Sequence, residues 1–319
     1  MALTRLSLTD FRNHAALSLQ PGAQFIALHG ANGAGKTNIL EAISLLVPGR
    51  GLRRAGLGEM TCSNGGGGFA VTAEIGDVML GTGVEADAPE RRKVRINGAN
   101  ATINALAEWL SVIWLTPSMD RLFADGAGAR RRFLDRLVLA LEPLHAQASG
   151  RYEKAVQQRN KLLNGDSAPD PMWLDALEAQ MAESGAAIGA ARQRMMVALI
   201  AQLDVAPTGP FAVPDIKLDI EAPQSASELR ELWKNSRRRD AGAGRTLIGP
   251  HRADLIVHNR LNGQAADRSS TGEQKALLLS LILAHAALVA AQRGTPPILL
   301  LDEVAAHLDP SRRAALFER

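Results

Sequence analysis

A glycine-rich octet near the start of the chain constrains the fold more than any other feature. Residues 30–37 read Gly-Ala-Asn-Gly-Ala-Gly-Lys-Thr and match the pattern G-x-x-x-x-G-K-[ST]. The apolar run Gln24–Leu28 before the octet predicts a strand, and the pattern Ile39–Leu46 after it predicts a helix. A chance match would lack this strand–loop–helix context, so the octet indicates an α/β phosphate-binding fold.

The residue types of the octet suit the binding of phosphate groups. Glycines let backbone N–H groups point inward around a phosphate without obstruction by Cβ atoms, and the positive end of the following helix favours an anion. Lys36 is placed to reach the β- and γ-phosphates of a nucleotide and to act in catalysis, and the Thr37 hydroxyl to ligate Mg²⁺. We therefore predict a nucleotide-binding segment made of Gly30, Ala31, Asn32, Gly33, Ala34, Gly35, Lys36, Thr37 and Asn38.

A second motif near the end of the chain supplies two carboxylates. Ile298–Leu301 is continuously apolar, which predicts a buried parallel strand, and Asp302 and Glu303 follow it. Ligands of open α/β sheets bind at the carboxyl ends of the strands. We predict that Asp302 holds Mg²⁺ and that Glu303 is catalytic and polarises the attacking water. Ordinary acidic residues at a solvated strand end are the alternative, and the phosphate loop favours the functional interpretation.

The segment Ser269–Lys275 opens a long apolar helix, and two interpretations of it are compatible. Ser270 and Glu273 have the spacing of a capping box. A helix start is also an anion site, so Ser270, the Gly272 N–H group and Gln274 are candidates to contact a nucleotide γ-phosphate. The order of the motifs, from phosphate loop through S-x-G-x-Q to the acidic strand end, favours this function.

Leu3–Leu8 alternates apolar and polar residues and predicts a strand, and Ala15–Leu19 predicts a second short strand. After a glycine-rich loop, the short alternating segments Phe69–Ile75, Val78–Val84 and Lys93–Ile96 predict an antiparallel lobe. Asn97-Gly98 is a two-residue hairpin signal, because both residues tolerate a positive φ. Val112–Leu115 predicts one more strand, which is buried.

From about residue 118 to residue 240 the apolar residues follow helical spacing. Within this region the apolar positions from Leu174 to Leu203 predict a pair of helices. A strand-like run returns at Leu255–Val257, and Gly272–Gln292 predicts the long helix. The predicted architecture is an α/β head made of residues 1–117 and 246–319, with a mainly helical domain of residues 118–245 inserted between its two parts.

Composition bears on the environment of the protein and excludes several classes. The single cysteine, Cys62, excludes an intramolecular disulfide and a cysteine-rich zinc site, which fits a reducing cytoplasm. The first residues lack the apolar core of a signal peptide. The longest apolar stretch, Ala276–Ala291, is interrupted by Ser280 and His285 and is short for a membrane span. We therefore expect a cytoplasmic protein with no membrane partner.

The charged residues are unevenly distributed, although 36 Lys and Arg nearly balance 33 Asp and Glu. Residues 162–191 include acidic residues but no Lys or Arg. Basic residues cluster elsewhere, and an isolated cluster most often marks a solvated surface. Together the clusters are candidates to neutralise the phosphates of duplex DNA without reading its sequence. The predicted DNA contacts are Arg50, Arg53, Arg54, Arg237, Arg238 and Arg239.

The motifs above, together with several others, resemble a known family. The additional segments are Asp10–Asn13, Arg131–Asp135, Gln158–Asn160, Thr246–Arg252 and Leu301–Asp309. The chain resembles the ATP-binding-cassette ATPases of the branch that contains the SMC and Rad50 proteins, and within that branch it is more similar to the bacterial recombination mediators. The resemblance extends over almost the whole chain and implies an ABC-type P-loop ATPase head with an antiparallel lobe and an inserted helical domain.

The resemblance also implies how the site works, since two subunits of such ATPases hold ATP between them. The residues implied in the subunit that holds the phosphates are Lys36, Thr37, Asp302 and Glu303. Those implied to act from the second copy are Ser270, Gly272 and Gln274, with Asp309 as the D-loop aspartate that couples the two sites. The implied cofactors are ATP and Mg²⁺, and weak DNA-stimulated hydrolysis would reset an ATP-dependent homodimer.

The partners implied by the resemblance belong to recombinational repair and replication restart. They are double-stranded DNA, junctions of single- and double-stranded DNA, and the proteins RecR and RecO, with which such mediators help RecA to load. An SMC-like structural tether is the alternative, but an insertion of about 120 residues without heptads does not favour a long coiled-coil arm. A transporter-type ATPase and a nucleotide kinase fit the motifs less well.

The sequence departs from the family pattern in two places. No glutamine follows Val112–Leu115 at the place of a Q-loop, so this metal contact is not assigned. The chain ends ten residues after Asp309, before the further strand with a polar switch residue that the resemblance implies. We therefore expect a truncated chain with impaired hydrolysis.

Overall fold

The structure, a computed structural model, describes residues 3–22, 25–165, 169–206, 209–223, 225–304 and 309–318. The chain divides into two compact units, Met1–Pro117 with Val289–Val304, and Ser118–Leu288 with Ala305–Arg319. The units separate after residue 117, where the sequence predicts the insertion to begin, but residues 246–288 group with the helices. The predicted division into head and insertion stays a prediction.

The first unit contains a six-stranded antiparallel sheet in the order β2-β1-β3-β4-β5-β6. Its strands are β1 Leu3–Phe11, β2 His14–Leu19, β3 Phe69–Ile75, β4 Val78–Val84, β5 Lys93–Ile96 and β6 Ala99–Ala101. Every second residue of β3 is buried, from Phe69 to Ile75, so one face of this strand packs into a core. Asn97 and Gly98 have φ values of 49° and 82° and join β5 to β6. The predicted antiparallel lobe of β3, β4 and β5 is therefore confirmed, and the structure extends the sheet with β1, β2 and β6.

A second sheet of the first unit places the acidic strand end. Strand β7, Val112–Leu115, pairs in parallel with β10, Ile298–Leu301, and Leu301 lies opposite Leu115. All four residues of β7 are buried, as expected for a strand of continuous apolar sequence. The Asp302 N–H group donates to the Leu115 carbonyl oxygen over 2.9 Å, so Asp302 lies at the carboxyl edge of both strands. Helices α1, Lys36–Ser44, and α2, Leu106–Trp109, belong to the same unit.

The strand predicted at Gln24–Leu28 is wrong for the residues that are described, and Gln24 lies outside them. Residues 25–28 form no strand, and Phe25 and Ile26 are 61% and 52% exposed. An apolar sequence favours a buried strand, but a strand also needs a neighbouring strand whose backbone N–H and C=O groups pair with its own. Within the described part of the chain, β7 and β10 pair with each other and with no third strand.

The second unit is mainly helical, as the sequence predicts. Its helices are α3 Ala127–Leu141, α4 His145–Leu163, α5 Pro171–Asp204, α6 Ala226–Gly242, most of α7 Thr271–Arg293, and α8 Pro310–Glu318. Tyr152, Met181 and Trp233 meet in one buried cluster from α4, α5 and α6. The apolar side chains that recur at helical spacing in these helices thus pack into a common core.

The predicted pair of helices between Leu174 and Leu203 is wrong, because α5 is one helix of 34 residues. A glycine inside a helical sequence pattern can mark a break in the helix, but Gly185 lies within α5 and allows close packing. A Cβ atom at Gly185 would lie 3.4 Å from Trp233, Tyr152 and Pro250. The small residue therefore lets α5 approach its neighbours without ending the helix.

Strand β8, Pro214–Asp219, interrupts the region that the sequence predicts as helical. It pairs in antiparallel fashion with β9, Asp254–Asn259, which extends the predicted Leu255–Val257 on both sides. Ile216 and Val257 lie opposite each other and are buried. The pairing partner of β8 is distant in sequence, which is why the short pattern alone did not reveal it.

Helix α7 is long and apolar enough to cross a membrane by length and composition, but 67% of its apolar window is buried in the protein. Such burial is typical of a core helix. His285 within it donates from Nε2 to the Leu137 carbonyl oxygen over 2.9 Å, and burial lowers the pKa of His285 to about 4. The polar residue that interrupts the apolar sequence is thus accommodated as a buried neutral imidazole.

Candidate nucleotide-binding site

The phosphate loop has a backbone that depends on glycine. Gly30, Gly33 and Gly35 have φ values of 150°, 84° and 92°, which side chains disfavour. A Cβ atom at Gly35 would also lie 2.6 Å from Asn13 Oδ1 and closer still to the His14 ring. Gly35 precedes α1 and provides no side-chain cap, so no side chain of this residue competes for the N–H groups of the first turn.

The Lys36 ammonium group lies over the loop that precedes it. Its Nζ donates to the Gly30 carbonyl oxygen over 2.8 Å and to the Ala31 carbonyl oxygen over 3.0 Å. These contacts hold a positive charge next to the backbone N–H groups that the sequence predicts as phosphate ligands. The carbonyl oxygens of the loop therefore fix the position of this cation.

Thr37 and Asp302 meet although they are 265 positions apart in sequence. The Thr37 hydroxyl donates to Asp302 Oδ1 over 3.2 Å, which joins the first turn of α1 to the end of β10. Burial raises the pKa of Asp302 above its ordinary value, and the nearby Glu303 carboxylate raises it further, whereas the Thr37 hydrogen bond acts in the opposite direction.

This pair fits the Mg²⁺ that the sequence predicts, because a hydroxyl and a carboxylate are the oxygen ligands that this ion prefers. Among the described residues no group of three or more His, Cys, Asp or Glu is placed to hold a metal. Phosphate and water oxygens would therefore complete the coordination, as is usual for Mg²⁺ in nucleotide sites.

Glu303 follows Asp302 in an uncommon backbone conformation. Its φ is 49°, and its side chain is exposed at the end of β10. A non-glycine residue in this region costs on the order of 1–3 kcal/mol, and such strain is concentrated at functional sites. The strained turn directs the two neighbouring carboxylates differently, so that Asp302 is partly buried and Glu303 faces solvent.

The turn between β1 and β2 contacts the phosphate loop, and these contacts were not predicted as part of the site. Asn13 Nδ2 donates to the Gly33 carbonyl oxygen over 3.1 Å, and Asn38 Nδ2 donates to Asn13 Oδ1 over 2.7 Å. His14 Nε2 lies 3.3 Å from the Gly35 carbonyl oxygen. The segment Asp10–Asn13, singled out for its family resemblance alone, was the signal that marked this turn.

Glu41 of α1 is fully buried and is neutralised by two arginines. Arg12 donates to both of its carboxylate oxygens over 2.8 Å, and Arg53 donates to Oε2 over 3.0 Å. Arg53 also donates to Asn38 Oδ1 over 2.6 Å, and its charge favours ionisation of Asp302, lowering the pKa of that carboxylate. Arg53, predicted as a DNA contact, is thus held beside the phosphate-loop helix.

The other predicted DNA contacts differ in what they touch. Arg237 donates from Nε to buried Glu178 over 3.0 Å and also pairs with Asp175. The hydrogen bond to Glu178 raises the pKa of Arg237. The remaining four have exposed side chains; they are Arg50, Arg54, Arg238 and Arg239. The acidic stretch of α5 therefore pairs partly with the basic cluster of α6.

The start of α7 is a capping box. The Ser270 N–H and hydroxyl groups donate to Glu273 Oε2 over 2.9 and 2.8 Å, and these bonds lower the pKa of Glu273. Gln274 is 8% exposed and donates to the Ser269 carbonyl oxygen over 2.9 Å, while Gly272 is half-buried. The two side chains of the predicted signature thus bond within their own helix start.

Asp309 is exposed at the start of α8. Its Oδ1 accepts a hydrogen bond from the Arg312 N–H group over 2.9 Å. Leu308 before it lies outside the described residues. In this conformation Asp309 caps its own helix.

Comparison with known proteins agrees with this arrangement of motifs. The RecF/RecN/SMC N-terminal domain family matches residues 2–319. The DNA replication and repair protein RecF of Mesorhizobium japonicum is 51% identical, over 99% of this chain and 87% of that protein. RecF of Brucella suis is 49% identical, over 99% of this chain and 86% of that protein. This chain belongs to the RecF family.

Solved structures show the same fold. A RecF structure with ATP from the RecFOR pathway has a TM-score of 0.85 at 22% identity, over 99% of this chain and 88% of that chain. The Smc head domain of Pyrococcus furiosus has a TM-score of 0.53 at 17% identity, over 99% and 86%. The predicted α/β ATPase-head fold, with antiparallel sheet and helical region, is therefore confirmed, and the RecF family places the protein in DNA replication and repair.

Two RecF-like segments of the second unit form its buried polar core. Arg159 is fully buried and donates to Glu178 over 2.9 Å, to Asp240 over 2.8 Å and to the Thr246 hydroxyl over 3.0 Å. His251 Nδ1 lies 2.7 Å from the Tyr152 hydroxyl, and burial lowers the pKa of His251. These residues lie in segments that carry the family resemblance in sequence, and their contacts here are structural.

Proposed function

We propose that this RecF-family protein is an ATP-dependent DNA-binding switch that acts in recombinational repair and replication restart. The observation that carries the proposal is the contact between Thr37 and Asp302, 3.2 Å apart, beside the loop that Lys36 covers. Two solved RecF structures that hold ATP or ATPγS support a nucleotide ligand for this protein.

The residues of the loop would act by exchanging internal contacts for nucleotide contacts. Lys36 Nζ would leave the Gly30 and Ala31 carbonyl oxygens for phosphate oxygens, which bear more negative charge. Thr37 and Asp302 would hold Mg²⁺, which neutralises phosphate charge when it is bound. Glu303, exposed next to Asp302, would accept a hydrogen bond from the attacking water and orient it.

A second copy of the chain would complete the site through the start of its α7. Ser270, Gly272 and Gln274 would face the γ-phosphate, and Asp309 would link the two sites of the dimer. ATP drives such closure because it contacts both subunits only in the closed state. Weak, DNA-stimulated hydrolysis would then reopen the dimer, so ATP acts as a timer for DNA binding.

The expected partners are duplex DNA, junctions and gaps, together with RecR and RecO in the loading of RecA, in the cytoplasm. Arg238 and Arg239 are adjacent and exposed on α6, which makes them the predicted DNA contacts to test first, since carboxylates hold Arg53 and Arg237. Replacing both with Ala should reduce the slope of log affinity against log salt by roughly 1.8. Arg194→Ala, at an exposed ion pair of α5, is the control, and an unchanged slope removes α6 from the DNA site.

The experiment that tests the switch is sedimentation of the chain alone, with ATP, with ADP, and with ATP and duplex DNA. We expect dimers with ATP, monomers with ADP, and a dimer–DNA complex in the last mixture. Glu303→Gln should make the ATP dimer persist, and Lys36→Met should stay monomeric throughout. A wild-type protein that stays monomeric in all four mixtures rules out the dimer switch.

A further inference from the structure

A cavity of about 510 Å³ opens in the first unit beside the C-terminal end of α1. The residues that form its apolar part include Leu45, Leu57, Met60 and Ile103. None of its lining residues belongs to the phosphate loop, so it is separate from the nucleotide site. Its volume is in the range of pockets that bind small molecules or single side chains with their neighbours.

The polar part of the cavity has an excess of positive charge. Arg50, Arg91 and Arg92 line it, and Glu90 is the one carboxylate among its described lining residues. Arg50, Arg91 and Glu90 are exposed and leave a net charge of +1 at the opening, and Arg92 adds a further positive charge in the wall of the cavity. The opening therefore favours an anionic partner.

Arg92 contributes to this excess because its contacts are to uncharged groups. It donates to the Leu45 carbonyl oxygen, to the Gly49 carbonyl oxygen over 2.7 Å and to the Thr82 hydroxyl over 2.8 Å. Burial lowers the pKa of Arg92 to about 10, so the guanidinium group is still charged at neutral pH. These bonds also tie the loop after α1 to β4, which makes the cavity a preformed one.

We propose that this cavity receives an apolar side chain carried by an acidic peptide segment of a protein partner. The apolar floor would bury the side chain, and the arginines at the opening would pair with the carboxylates that flank it. Duplex DNA fits less well, because its phosphates would use the arginines and leave the apolar floor in contact with water. Arg50, predicted from the sequence as a DNA contact, would in this case contact protein.

The test measures fluorescence anisotropy of a labelled peptide made of four aspartates followed by one leucine. A second peptide, with serine in place of the leucine, reports the contribution of charge alone. We expect saturable binding of the leucine peptide, and about tenfold weaker binding of the serine peptide. Equal affinities of the two peptides would overturn the proposal.

Variants of the protein locate the binding. Leu57→Asp at the floor and Arg91→Glu at the opening should each weaken binding of the leucine peptide about tenfold. Arg95→Glu makes the same charge change at an exposed position of β5 outside the cavity. This variant is the control and should have little effect on peptide binding. Circular dichroism and ATP binding verify that the variants fold, and Arg91→Glu, at an exposed position, decides the question if Leu57→Asp does not fold.

The last measurements separate this site from the nucleotide switch and from DNA. Lys36→Met should bind the peptide as the wild type does, whether or not ATP binding and dimerisation behave as proposed. Duplex DNA should not displace the peptide. The cavity is not the peptide site if Leu57→Asp and Arg91→Glu bind the peptide as well as the wild type does. It is also not the peptide site if duplex DNA displaces the peptide and Arg91→Glu weakens the binding of peptide and DNA equally.

Discussion

The starts of helices α1 and α7 are two regions predicted to contact a nucleotide, α1 in its own subunit and α7 across the dimer, and they differ in what occupies them. At α1 the preceding residue is Gly35, which offers no side-chain cap. At α7 the Glu273 carboxylate already accepts hydrogen bonds from the Ser270 N–H and hydroxyl groups. Both are helix starts that attract anions, but in the second the chain supplies the anion itself.

A sequence pattern typical of an anion site therefore does not reveal whether a side chain of the same chain already fills that site. For Ser270 to contact the phosphate of a nucleotide bound to a second copy of the chain, that contact must replace its hydrogen bonds to Glu273. We therefore expect the α1 region to account for most of the ATP affinity of a monomer. The α7 region should contribute only when ATP brings two copies together.

The largest effect is expected at the α1 region, for Lys36→Met. Loss of the ammonium group should weaken ATP binding about 100-fold, because a hydrogen bond to a charged group contributes about 1.5–3 kcal/mol. Isothermal titration calorimetry measures the affinity. Lys217→Met, at an exposed position of β8, is the matched control. Equal affinities of Lys36→Met and the wild type would remove the main contrast between the two helix starts.

A somewhat smaller effect is expected for Asp302→Asn, which keeps an oxygen for Thr37 but removes the charge. Mg²⁺-dependent ATP affinity should fall about tenfold, because a carboxylate ligand of the ion is lost. The nucleotide-free variant should be more stable than the wild type at neutral pH, since burial disfavours the charged carboxylate.

The pH dependence of Asp302→Asn follows from the raised pKa of Asp302. A raised pKa in the folded state stabilises the wild-type protein at low pH, and this stabilisation is lost as the pH rises through that pKa. The Tm advantage of the variant should therefore grow as the pH rises above the ordinary aspartate pKa of about 3.9, and then level off. A constant Tm difference from pH 4 to pH 8 would contradict this assignment.

Asn13→Ala tests the turn that contacts the phosphate loop. Removing the bonds to Gly33 and Asn38 should weaken ATP binding about fivefold, since a hydrogen bond contributes about 1 kcal/mol. Asn100→Ala, at an exposed position of β6, is the control for the calorimetry. If the two variants bind ATP equally well, Asn13 does not position the loop.

The smallest effect on a monomer is expected for Ser270→Ala at α7. Loss of the cap should destabilise the protein by about 1 kcal/mol in urea unfolding and leave the ATP affinity of the monomer unchanged. Ser225→Ala is a matched control, because Ser225 caps α6 by accepting a hydrogen bond from the Glu228 N–H group. Both should lose similar stability, and Ser270→Ala alone should weaken ATP-dependent dimerisation. Equal dimerisation of the two variants would show that α7 has a structural role only.

Several features of the site were predictable because their signals are local. The phosphate loop, the capping box and the strand Ile298–Leu301 each depend on residues within a few positions of one another. The structure places Thr37 beside Asp302, as the two motifs together predict. Local backbone preferences, such as those of Gly35 and of the Asn97-Gly98 turn, are visible in sequence because few residue types satisfy them.

Other features depended on partners far along the chain. Arg53 and Arg237 cannot be distinguished in sequence from the arginines next to them, yet each forms an ion pair with a buried glutamate, Glu41 and Glu178 respectively. The apolar run that ends at Leu28 has the composition of a strand, but its described residues 25–28 form none. Both outcomes depend on residues that are distant in sequence, so a short sequence segment does not predict them.

The glycine-rich loop, the acidic strand end and the family resemblance could be read from the sequence alone, because each depends on residue types in a fixed local order. The tertiary structure alone decided which charged groups remain exposed. It paired Arg237 with the acidic stretch of α5 and left Arg92 among carbonyl oxygens at the cavity. The physical reason is that the electrostatic state of a side chain depends on its burial and on its neighbours in space, which the folded chain selects.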